Sequence, residues 1–202
     1  MTKDYDYTIN ASVYQRIFTL FKFLEGRIGL NIKVHGSEEL LKQGQLFVFN
    51  HFARFETAIP LYVLHKYANA HCRSVAHNTL FANEAFGNFL RSMGAIEHNK
   101  PNLLAFVAAE MLRGNKGIIF PEGGLIKDRY VQNEKGELGI RRAGIDEFRK
   151  VHRGAAALAL TLELFKRRIL DRAKVGDMKR LLHWRDALNM PSIEKLIEEA
   201  SK

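Results

Sequence analysis

Two apolar runs of four residues, Leu46-Phe47-Val48-Phe49 and Gly117-Ile118-Ile119-Phe120, are too short for helices and too apolar for loops. Each is β-prone and bounded by glycine or polar residues, the pattern of a buried strand. Around them the chain alternates. Ile32-Lys33-Val34 reads as a half-buried strand turning at Gly36, and Ser37-Glu38-Glu39-Leu40-Leu41 as a short capped helix closing near Gly44. Glu56 to Tyr67 has a helical pattern, Arg73-Ser74-Val75-Ala76 a strand pattern, and Ala82 to Met93 a helix ended by Gly94. Ala95-Ile96-Glu97 forms a further short strand, and Asn102 opens a helix to Leu112. Such alternation predicts an α/β fold, a central mostly parallel or mixed sheet flanked by helices. From Thr161 onward the pattern is nearly all helical, over 162–165, 177–188 and 192–200.

The residues just after each apolar run carry the chemistry. The first run leads into Asn50-His51-Phe52-Ala53-Arg54-Phe55-Glu56. On one continuous helix, His51 and Glu56 would lie about 140° apart and could not pair. Across a strand-to-helix corner they can meet, and a carboxylate that orients a histidine is the arrangement of a general base. The competing reading is a surface histidine with an unrelated helix-start glutamate. The second run leads into Pro121-Glu122-Gly123-Gly124, with Lys127 and Arg129 close behind. Pro121 ends the strand, and the two glycines let the main chain turn with its N–H groups exposed, a loop suited to an anion. By itself this is most often a plain turn.

The net charge of +9, from 31 Lys+Arg against 22 Asp+Glu, favours anionic partners. No RNP-like aromatic strand or zinc-finger spacing accompanies it, so nucleic acid is not the expected partner. Eight of the cations, Lys166, Arg167, Arg168, Arg172, Lys174, Lys179, Arg180 and Arg185, fall in the C-terminal quarter. They form either a solvated helical face or a contact with an anionic membrane. At the other end Val13, Tyr14, Ile17, Phe18, Phe21 and Leu24 recur at helical spacing, with Arg16, Lys22 and Arg27 among or beyond them. That stripe fits a headgroup-level helix or packing against the core. No run of 18 apolar residues and no signal peptide is evident, and the single cysteine, Cys72, excludes an internal disulfide and suits a buried core position. A cytoplasmic protein is expected.

Together, the two motifs resemble the glycerophospholipid acyltransferases, which include lysophosphatidate acyltransferases. Asn50, His51 and Glu56 match that family's Asn-His-x4-Asp block with a longer carboxylate, and Phe120-Pro121-Glu122-Gly123 matches Phe-Pro-Glu-Gly residue for residue. The second block is only partly similar in Gly94 to Lys100, where His98 or Lys100 stands in for an arginine. A small-residue helix, Arg153 to Leu160, comes next as in the family. The family's apolar, proline-containing strand beyond that helix has no counterpart, as expected of a chain that stops before its sheet is complete. The resemblance implies acyl transfer from acyl-CoA or acyl carrier protein to a lysophospholipid or glycerol phosphate. His51 would be the base and Glu56 its orienting acid. Asn50, Lys100, Glu122, Gly123, Gly124 and Lys127 would bind substrate, and no metal or resident cofactor would be needed. The alternative is a non-catalytic lipid- or membrane-binding relic of the same fold. The expected parts are an amphipathic, membrane-contacting helix over 1–28, an acyltransferase-like domain over 29–165 and a basic helical tail over 166–202. The expected place is the inner face of a membrane, held peripherally.

Overall fold

The computed structural model describes residues 5–29, 32–51, 57–122, 135–136, 140–141, 148–149 and 152–200. Its centre is a four-stranded sheet of β1 (Leu46–Val48), β2 (Cys72–Ala76), β3 (Ala95–Glu97) and β4 (Lys116–Ile119). The strand order is β1-β4-β2-β3 and every pairing is parallel. Parallel strands need crossover helices, which cover the faces of the sheet. Inner strand β4 is buried as its apolar run predicts, whereas β1 stands at the sheet edge, is only half-buried and leaves Val48 53% exposed, so that run is not the buried strand its composition suggests.

Two of the helices start at asparagine side-chain caps. Asn10 starts α1 (Ala11–Arg27), its side chain accepting the N–H groups of Ser12 and Val13, each at 3.1 Å. Six-residue α2 (Glu38–Gln43) precedes β1, although the Ser37 side chain makes no capping bond. In α3 (Ala58–Ala68), Pro60 occupies the first turn, where a missing N–H costs nothing. Asn83 caps α4 (Glu84–Ser92) through the Phe86 N–H at 2.9 Å. Gly94 then turns the chain into β3 at φ +92, and a Cβ there would strike the Cys72 carbonyl. α5 (Leu103–Leu112) joins β3 to β4.

Side chains alternate across β4. Ile118 joins Leu64 of α3 and Cys72 in one cluster, while Ile119 faces the larger core built on α5. The last three helices, α6 (Gly154–Lys174), α7 (Met178–Ala187) and α8 (Ser192–Ala200), close over α5. Leu158, Leu162, Ile169, Leu181, Met190, Ile193 and Leu196 are buried there with Val107, Met111 and Leu112. The apolar side of the basic tail thus belongs to the main core. α1 buries Tyr14 and Phe18 against Tyr62 of α3 and Met93. A separate antiparallel pair, β5 (Ile140–Arg141) and β6 (Phe148–Arg149), was not expected from the sequence.

Ile32-Lys33-Val34 is not a strand. Residues 32–35 are irregular, and Ile32 packs against the cluster shared by α1 and α3. A three-residue alternation has no hold on the backbone when no neighbouring strand offers a ladder. Among the described residues, no strand comes after α6, and no helix is long and apolar enough to cross a membrane.

Candidate active site

In a parallel sheet the carboxyl ends of all strands open on one side, where ligands of such folds bind. β1 and β4 are neighbours, with Val48 paired to Ile119. The Phe49 N–H extends the ladder by donating to the Ile119 carbonyl at 3.0 Å. His51 and Glu122 each come three residues after that paired position and so leave adjacent strands at matching height. The half-buried His51 ring lies 5.0 Å, centroid to centroid, from the Phe120 ring, tilted by 45°. The Pro121 carbonyl accepts the His152 N–H at 2.9 Å, which ties the turn to the approach of α6.

Glu122 is half-buried, and its Oε2 is enclosed without a hydrogen-bond partner among the described residues. An orphaned buried acceptor costs about 1–3 kcal/mol, and groups left so call for a functional reason. A hydroxyl donor on a ligand would satisfy it. Asn50 is exposed beside His51. Glu56, Gly123, Gly124 and Lys127 lie outside the described residues. Cys72 is fully buried, and burial pushes its thiol up to about 12, so it is core rather than nucleophile.

Lys100 is elsewhere. It lies just past β3, at the opposite edge of the sheet from β1 and about 14 Å away by three strand spacings. Its ammonium rests 4.3 Å from the Tyr7 ring centroid and 4.8 Å from that of Phe106 on α5. Phe120, against which His51 lies, packs instead with the α3-side cluster. His98 stacks on His77, ring centroids 4.9 Å apart, and its Nδ1 accepts the Asn78 N–H at 3.3 Å.

Beside Lys100 is a cavity of about 600 Å³, lined among others by Tyr5, Tyr7, Asn78, Arg91, Glu97 and Asn99. Arg91 and Glu97 form a buried ion pair, with Arg91 Nε donating to Glu97 Oε1 at 2.8 Å. The Tyr7 hydroxyl donates to Glu97 Oε2 at 2.5 Å. Burial works against the Glu97 charge, but the bonds from Tyr7 and Arg91 outweigh it and hold the carboxyl below its ordinary range. Burial first, then Glu97, pushes the Tyr7 phenol up to about 12. The Arg91 guanidinium also stacks 3.7 Å over the Tyr5 ring. Local patterns in the sequence do not single out Tyr5, Tyr7 or Arg91. The nearest signal is an arginine closing a helix just ahead of a strand glutamate, and nothing local links residue 7 to residue 97.

Comparison with known families matches a model described as Acyltransferase to residues 31–170, well over half of the chain. No curated protein and no solved structure matches it.

Proposed function

The chain belongs to the Acyltransferase family, and on that footing we propose that it moves a fatty acyl group from a thioester to a hydroxyl of glycerol phosphate or a lysophospholipid. The carrying observation is that His51 and Glu122 each follow the carboxyl end of a neighbouring strand, β1 and β4, three residues past the paired Val48 and Ile119, with Glu122 Oε2 buried and lacking a donor among the described residues. His51 takes the proton of the acceptor hydroxyl as that oxygen attacks the thioester carbonyl. The tetrahedral intermediate collapses by breaking its C–S bond, and the departing sulfur takes the proton back from the imidazolium. General-base help of this kind is worth ~10²–10⁴ in rate.

Glu56 holds the imidazole tautomer in this scheme. Glu122 accepts a hydrogen bond from an acceptor hydroxyl, and Asn50, Gly123, Gly124 and Lys127 complete the binding loops around it. Acyl-CoA or acyl carrier protein supplies the acyl group. The acceptor arrives from an anionic membrane surface, where the exposed side of α1, with Leu20, Phe23 and Arg27, makes the contact. The protein then sits peripherally on the inner membrane face. A purely lipid-binding relic would use the same face of α1, but has no use for a buried, donor-less carboxylate oxygen at the strand ends.

The test is acyl transfer from labelled acyl-CoA and acyl carrier protein to a panel of acceptors. Transfer that vanishes in His51→Ala while liposome binding persists is the expected result. Equal inertness of wild type and variant on every acceptor would sink the reading.

A further inference from the structure

α4 carries its aromatic residues on the outside. It buries Gly87 and Arg91 and leaves Phe86 and Phe89 48% and 39% exposed, their rings stacked with centroids 6.3 Å apart. Phe89 is two residues from each buried position and so stands roughly 160° round the helix from both. Gly87 lets the helix close onto the Phe81 main chain, and the ion-paired Arg91 guanidinium lies 5.0 Å over the Phe81 ring. The inner side is thus held without either phenyl ring. Leu80, on the single turn Asn78–Phe81 just ahead of α4, is also 48% exposed. Among the described residues, none of these three joins a core cluster. Exposed apolar surface of this kind marks a docking site.

Its place in the fold says what covers it. In the order β1-β4-β2-β3, the crossings through α3 and α4 run the same way and the crossing through α5 runs back. Right-handed crossovers therefore put α3 and α4 on one face of the sheet and α5 on the other. α1 packs on α3, and its capping Asn10 donates its main-chain N–H to the Ser92 carbonyl, at the end of α4, at 3.0 Å. The outer sides of α1 and α4 thus look away from the same face. On α1 that side holds Leu20 and Phe23 with Arg16 and Arg27, cations that have no carboxylate partner among the described residues. A flat anionic surface takes both helices at once. A second copy of the chain would set the same net charge of +9 against these cations.

We propose that α4 and the turn ahead of it form a second bilayer contact, made together with α1 on one anionic leaflet. The inference rests on the membrane reading of α1 and not on the acyl-transfer chemistry. It also sets an orientation. The Tyr14 hydroxyl of α1 accepts the Cys72 N–H at the start of β2, whereas Leu80 follows the end of β2 by four residues. The contact therefore runs the length of the strands, which lie along the bilayer rather than end-on to it. A lipid acceptor then approaches the strand ends from the flank that carries α3.

The test is binding of the full chain to mixed phosphatidylglycerol and phosphatidylcholine vesicles, with no turnover required. Phe89→Glu should weaken binding about tenfold, the apolar burial of one ring. Phe23→Glu/Phe89→Glu together should lose about a hundredfold, because separate contacts with one surface add in free energy. Leu160→Glu, on the exposed side of α6 over the opposite face, should bind as wild type does. Each variant should keep the wild-type melting temperature, because the replaced side chains are exposed. Brominated lipid should quench the new fluorophore of Phe89→Trp and spare Trp184, which packs with the helices over α5.

Wild-type binding by Phe89→Glu, with Phe23→Glu weakened, overturns the inference and leaves the α1 contact standing. Indifference of the wild-type chain to vesicles removes both. A Phe89→Glu variant that changes the sedimentation of the lipid-free protein assigns this face to a protein contact and overturns the inference as well.

Discussion

Glu122 and Cys72 show opposite uses of burial at single positions. The orphaned Glu122 oxygen weakens the fold, so its removal should not harm stability. In Glu122→Leu the urea midpoint is expected to stay level or rise, while acyl transfer falls by about 10²-fold or more, the scale of a lost catalytic-site contact. A midpoint that falls together with activity would make Glu122 a structural residue. Both apolar runs were legible in the sequence as strands, because short β-prone runs closed by proline or a polar pair have a local signature, but the edge position that leaves Val48 of β1 exposed was not. Lys100 was legible only as a candidate. Nothing in a linear pattern tells that β3 and β1 stand at opposite edges, since strand order is a long-range property.

α1 carries two apolar stripes, which is why periodicity could not choose between core and membrane. Tyr14 and Phe18 face inward, while Leu20 and Phe23 remain 51% and 54% exposed, with the Arg27 guanidinium 5.6 Å over the Phe23 ring. Phe23→Glu should weaken binding to anionic vesicles by about tenfold, from the apolar burial one phenyl ring can supply, with an unchanged melting temperature. Vesicle binding equal to wild type would remove α1 from the membrane contact. The inward stripe makes its own prediction. The Tyr14 ring packs edge-on against His65 and His71, and Phe18 stacks on His65. Burial, then the charges of His65 and Arg73, holds the His71 pKa below its ordinary value. The folded state thus prefers neutral His71, and the unfolded chain binds the proton more readily. The resulting stability is present above the unfolded value of about 6.5 and is lost as pH falls through the lower folded value. Urea midpoints at pH 7.5 and 5.5 should drop less in His71→Gln than in wild type. Equal drops would assign the acid sensitivity to other groups.

On the scale of the whole molecule, the helical tail was legible as helices but not as core. Its cations filled the sequence signal, and several prove to be spent on exposed local pairs, such as Arg167 with Glu163 and both Arg172 and Arg180 with Asp177, which contribute little stability. The apolar partners that matter lie far back in the chain, on α5, and no local pattern announces that Leu112 and Ile193 share one cluster. The buried Arg73–Glu110 pair, linking β2 to the same helix at 2.5 Å, was hidden for the same reason. The consequence is a cooperative unit that extends to α8. Removing residues 176–202 strips Leu181, Met190, Ile193 and Leu196 from that cluster. At about 1.5–3 kcal/mol for each buried side chain, the loss is roughly 6–12 kcal/mol as an upper bound. That is comparable to the entire stability of an ordinary domain, about 5–15 kcal/mol. The shortened chain should therefore lack a cooperative thermal transition and expose apolar surface to a hydrophobic dye. A chain ending at residue 175 that unfolds cooperatively, with the wild-type midpoint, would show that α7 and α8 are an appendage and that the sheet needs only α5 and α6 above it.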